Sequence, residues 1–132
     1  QLTGFRIIAT GSKMSKAPII GIVIGNAHSG AALALQCCHK RIALPHTRIF
    51  FHEIQNSVNI NLEGSNVNMI RCAIKNLFKE KREVEENQKE VDNIVTQKTG
   101  LTLEQIQKIE NKYLTPEQAL KLNIIDEIRT EI

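Results

Sequence analysis

An apolar run of strand length, Pro18-Ile-Ile-Gly-Ile-Val-Ile24, leads directly into small and turn-forming residues from Gly25 to Ser29, and then into an Ala/Leu-rich stretch from Gly30 to Cys38. A short continuous apolar run bounded by turn residues reads as a central parallel strand buried on both faces, and the Ala/Leu stretch has good helix propensity. Strand, tight turn and helix in direct succession define an α/β chain. Ile19–Ile24 is therefore expected in the middle of a sheet, with Ser29 on the turn that leaves it.

The remaining segments fit that frame. Leu2, Phe5, Ile8 and Ala9 have helical spacing, and the breaker-rich stretch from Gly11 to Pro18 reads as a connection. Arg41–Pro45 and Arg48–His52 are short β-like runs, the second placing His52 at a strand terminus. Val58, Ile60 and Leu62 alternate with polar residues up to Gly64, as in an exposed extended segment. Beyond it, apolar residues at 67, 70, 74, 77, 84, 91 and 95 follow a three-to-four repeat, broken by Lys81 and Gln88. This predicts one long helix, capped by Ser65 and ended by Gly100, of about 50 Å at 1.5 Å per residue. Such a helix outruns a compact body of this size, so Lys79–Glu90 is expected to project and pack on another subunit. Thr102-Leu-Glu-Gln105 and Thr115-Pro-Glu-Gln118 read as capping boxes, and Leu122–Ile128 as a closing strand or turn.

Composition narrows the function. With 132 residues the chain is one domain, and 42% hydrophobic with 23% charged residues is an ordinary globular balance. A net charge of +3 and five aromatic residues supply neither the basic groove nor the stacking platforms of a nucleic-acid binder. No apolar run reaches the length of a membrane span. The chain starts at Gln1 with no signal-peptide pattern, and reads as a fragment or a processed chain. Three cysteines, two of them adjacent at 37 and 38, suit reduced thiols in a cytoplasmic or organellar-matrix protein. His28, His39 and His46 lack a third partner at ligand spacing, so no metal is expected.

A serine on a strand-to-helix turn, flanked by Gly25, Ala27 and Gly30, has the exposed hydroxyl and open backbone that a nucleophile needs. Ser29 fits that description, though serine is also the commonest helix cap. The Gly30 N–H at the helix start is a candidate oxyanion donor. His52 at a strand end is a candidate general base.

The pattern G-N-A-H-S-G-A at 25–31, followed by R-I-A-L-P-H-T-R-I-F-F-H at 41–52, resembles the proteolytic subunit of the Clp protease. There the nucleophile lies in G-x-A-x-S and the base follows an A-L-P-x-(S/T)-x-(I/V)-x-x-H strand. K-T-G-L-T-L-E-Q-I at 98–106 and Y-L-T-P-E-Q-A-L-K-L-N-I-I-D-E-I at 113–128 are similar to two later family segments, so the resemblance runs from Ile19 to Ile128. It implies the α/β fold of the Clp-protease/crotonase superfamily: stacked βαβ units in a single domain over 1–132, with a strand-plus-long-helix handle over about 53–100. It further implies Ser29 as nucleophile, His52 as base, Gly30 N–H as oxyanion donor, and position 111 as the third triad member. No cofactor is implied. The implied partners are unfolded polypeptide, further copies in stacked heptameric rings, and an AAA+ unfoldase.

Three departures qualify the resemblance. Asn111 stands where the family has an acid; it can orient the His52 ring but brings no charge. The family's first strands and the double-glycine segment with its second oxyanion donor precede the point where this chain begins. The stretch from His52 to Gly100 is longer than the family pattern by about a dozen residues, or three helical turns. More mildly, Gly30 directly follows the serine, and Asn123 occupies a glycine position whose left-handed turn it can keep. A non-catalytic ring subunit is the rival reading. An acyl-CoA hydratase or isomerase of the crotonase fold is a third, opposed by the A-L-P strand ending in His52.

Overall fold

The computed structural model describes residues 2–131, which fall into two compact units: residues 2–53 with 91–131, and residues 54–90. The first unit contains α1 (Thr3–Met14), β1 (Ile20–Val23), β2 (Asn26–His28), α2 (Gly30–Gln36), β3 (Lys40–Ala43) and β4 (Arg48–Phe50). After the second unit it resumes with the end of α3 (Val67–Thr99), then α4 (Leu103–Ile109), β5 (Tyr113–Leu114), α5 (Pro116–Lys121) and β6 (Glu127–Ile128).

Two three-stranded sheets organise this first unit. One has the order β1-β3-β6, all parallel, with Ile22 opposite Ile42 and Ile42 opposite Glu127. In the other, β4 pairs in parallel with β2 and antiparallel with β5, setting Ala27 opposite Ile49 and Ile49 opposite Leu114. The core gathers Ala32, Leu33, Leu35, Ile42, Ile49, Val95, Ile106, Ile124 and Ile125. Gly21 lets α2 close on β1: a Cβ there would stand 2.7 Å from Leu35 Cδ1 and 2.8 Å from Cys38 Sγ.

Several local expectations need correction. β1 is parallel but lies at the edge of its sheet, and Ile20, Ile22 and Ile24 are exposed while Val23 is buried. A short apolar run specifies burial of one face and leaves edge or centre undecided. The first helix continues through Gly11 to Met14; Ser12 is buried there, and its hydroxyl donates back to the Ala9 carbonyl at 3.1 Å. α2 stops at Gln36, so Cys37 and Cys38 lie in the turn beyond it. Asn66, not Ser65, caps α3, its Oδ1 accepting from the Met69 amide at 3.0 Å. His52 lies two residues past the end of β4.

Other elements follow the sequence. Gly100 ends α3 with φ +76°. Thr102 with Gln105 and Thr115 with Gln118 close reciprocal capping boxes. Asn123 keeps the left-handed turn at φ +56°.

The second unit pairs an irregular extended stretch with the first part of α3. Gln88 Oε1 accepts from the Ile54 amide at 2.7 Å, and Asn56 Nδ2 donates to Glu80 at 2.6 Å. Val58, Ile60 and Leu62 are exposed, as are Val67, Ile70, Ile74 and Leu77 on the helix. Among the described residues, no helix is long and apolar enough to cross a membrane.

Candidate active site

Ser29 lies at the junction of β2 and α2 with φ 52° and ψ −115°, outside the regions open to an unstrained L-residue. Its amide donates to the Phe50 carbonyl at 2.9 Å, and its own carbonyl accepts the first helical bond from Leu33 at 3.1 Å. The main chain is therefore held from both sides in a sharp strand-to-helix bend. Ser29 occupies the N-cap position, yet its side chain makes no capping hydrogen bond. The helix-cap role leaves the hydroxyl unused. Gly30, the first helical residue, has an amide that α2 cannot satisfy.

Asn111 bonds to the residue just past the end of β4. Its amide donates to the Phe51 carbonyl at 2.8 Å, and it adopts φ 60°, a left-handed backbone that asparagine tolerates. Two main-chain bonds to Phe50 and Phe51 thus tie Ser29 and Asn111 to the segment carrying His52. Side chains are less engaged. His52 Nδ1 donates to the Glu53 carbonyl at 2.6 Å; among the described residues, no hydrogen bond joins His52 to the Ser29 hydroxyl or to the Asn111 amide group.

An aromatic group that the sequence reading did not assemble lies beside His52. Phe50 packs on Tyr113 with ring centroids 4.8 Å apart, His28 meets Phe50 at 5.7 Å and Tyr113 at 5.3 Å, and His52 lies 6.2 Å from Phe50. The signal available was the alternation of Phe50 and His52, which puts both on one side of an extended chain. Acidic groups also collect here. Burial, reinforced by the Glu53 and Asp92 carboxylates, pushes the Glu110 carboxyl above its ordinary value, with His52 pulling it back.

A second polar cluster anchors the C-terminal segment. The Arg41 side chain is 2% exposed, and its guanidinium donates to both Asp126 oxygens (2.6 and 3.0 Å), to Gln36 Oε1 (2.8 Å) and to the Asn123 carbonyl (2.9 Å). Those bonds hold the Asp126 carboxyl below the usual carboxylate range. No residue of this cluster was singled out by sequence for chemistry.

His39 accepts the Ile19 amide on Nδ1 at 2.9 Å, a structural role. Among the described residues, no cluster of His, Cys, Asp and Glu is arranged to hold a metal ion.

Parallel strands that feed a helix through a bend like that at Ser29 make this an α/β fold. A solved structure of a ClpP1 point mutant from Listeria monocytogenes superposes with a TM-score of 0.78 at 18% identity, over 99% of this chain and 68% of that one. At that identity the likeness speaks for the fold. A family model described as Clp protease matches residues 3–131. The chain therefore belongs to the Clp protease family.

Proposed function

We propose that the chain is a serine peptidase subunit of a self-compartmentalised protease. Ser29 is the nucleophile, His52 the base, Asn111 the orienting third member and Gly30 N–H an oxyanion donor. The observation that carries this reading is the Ser29 bend. A non-glycine residue at φ 52° with an unused hydroxyl is costly, and such strain collects at functional sites. The His52 tautomer agrees. With Nδ1–H donated to the Glu53 carbonyl, the neutral ring keeps its lone pair on Nε2, the atom that must take a serine proton, and Asn111 orients the ring once its side chain replaces that carbonyl as the Nδ1–H acceptor.

In the proposed reaction, Ser29 Oγ attacks the carbon of a peptide carbonyl while its proton passes to His52 Nε2. The tetrahedral oxyanion is met by the Gly30 amide. His52 then gives the proton to the leaving nitrogen as the C–N bond breaks, leaving an ester on Ser29. Water, deprotonated by His52, hydrolyses that ester and restores the serine.

The substrate proposed is unfolded polypeptide, delivered by an AAA+ unfoldase into stacked rings of this chain with residues 53–100 as the handle between them. A reducing compartment, cytoplasm or organellar matrix, suits the three free cysteines. A non-cutting ring subunit is the second reading, favoured by the lack of hydrogen bonds among the side chains of Ser29, His52 and Asn111. Cleavage of β-casein read by mass spectrometry separates the two. Fragments formed by the wild type and absent with Ser29→Ala and His52→Ala support a peptidase, whereas fragments that persist in both variants, or form in none, overturn it.

A further inference from the structure

The ends of α1 and α2 and the last two turns of α3 line an open cleft of about 420 Å³ within the first unit, within the volume range of small-molecule pockets. Ala9, Ile94 and Cys37 give it apolar wall; Lys13 and Lys98 are its charged lining, and no Asp or Glu is among the described residues that line it. Both ammonium groups act on Cys37, although burial and the neighbouring Cys38 outweigh them and push that thiol up. Asp126, which feels the Lys98 charge, has both its oxygens committed to Arg41. His39 adds a further donor: the Ile19 amide occupies Nδ1, so the neutral ring carries its proton on Nε2. Two cations and a ring N–H around an apolar wall, with no facing carboxylate, form a receptor for negative charge attached to a hydrocarbon.

We infer that this cleft binds a small organic anion, a monocarboxylate carrying an apolar tail of a few carbons. The head pairs with Lys13 and Lys98, and the tail lies along Ala9 and Ile94. None of these residues takes part in the proposed peptide hydrolysis, so this inference stands or falls independently of that reading.

Saturation-transfer NMR on the assembled full chain tests it, with hexanoate as probe and uncharged hexanamide as control. Transfer to hexanoate is expected at least fivefold above that to hexanamide, dropping at least fivefold in the Lys13→Gln/Lys98→Gln variant and unchanged in Ser29→Ala. Hexanoate is also expected to slow iodoacetamide modification of Cys37 at least threefold while leaving exposed Cys72 unaffected. No transfer to hexanoate, equal transfer to hexanamide, or full transfer in the double-lysine variant overturns the inference.

Discussion

Arg41 and Ser29 are both held by strands of the first unit, and their side chains are in opposite conditions. The Arg41 guanidinium is buried and bonded on every side, to Asp126, Gln36 and Asn123. Ser29, His52 and Asn111 are fixed through their main chains, while the Ser29 hydroxyl and Asn111 amide group stay free of the His52 ring. The contrast separates two uses of polar groups in one fold. Saturated hydrogen bonding at Arg41 specifies the packing of the C-terminal segment; at Ser29 the backbone is specified and the functional groups are left available to a substrate.

The sharpest way to probe that contrast is to supply charge at the open end of the site. Asn111→Asp keeps the left-handed backbone, since aspartate tolerates it, and adds a carboxylate that can stabilise the His52 imidazolium. By analogy with serine proteases, where the reverse change costs about 10⁴ in kcat, peptide turnover is expected to rise by several orders of magnitude, up to about 10⁴-fold. Steady-state hydrolysis of a fluorogenic peptide reads this directly, and unchanged turnover would place the limit elsewhere.

At the saturated end, Asp126→Asn strands the Arg41 charge. The expected loss is about 3 kcal/mol in urea unfolding, the low end for a broken buried pair because the Asp126 side chain is 33% exposed. The wild-type advantage should depend on pH with a definite sign. A carboxyl whose folded pKa is depressed contributes stability that is fully present above its unfolded pKa and is lost as pH falls through the folded value. The gap between wild type and Asp126→Asn should therefore close in acid; a gap that widened there would contradict the arrangement.

Ser29→Gly and Ser29→Ala both remove the nucleophile, but only glycine relaxes a φ of 52°. The glycine variant should be the more stable by about 1 kcal/mol. Equal unfolding midpoints would deny the strain at the bend. Loss of one capping box in Thr115→Ala is expected to cost about 1 kcal/mol or somewhat less, with no effect on Ser29 chemistry.

Legibility in the sequence tracked the range of the interactions involved. Both capping boxes, the Gly100 terminus and the Asn123 turn were readable because their partners lie within a few residues. The edge position of β1 was not, since an apolar run has the same appearance at an edge and in the centre of a sheet. The stripe on α3 keeps the same three-to-four spacing on either side of its breaks at Lys81 and Gln88, yet Val91 and Val95 are buried while Ile70 and Leu77 are exposed. Periodicity names a face and not what covers it. The Arg41–Asp126 pair, 85 residues apart, leaves no local trace, and neither does the Phe50–Tyr113 stack. Ser29 was legible as a turn serine, but its backbone angles and unused hydroxyl belong to the three-dimensional structure.

The central claim is that Ser29 is an activated nucleophile on a prebuilt bend. Fluorophosphonate labelling read by intact mass on the wild-type chain tests it most directly, with Ser29→Ala as control. A single adduct on the wild type that disappears in Ser29→Ala is the result expected. An assembled, folded wild type that stays unlabelled, or an adduct that survives the substitution, would contradict it.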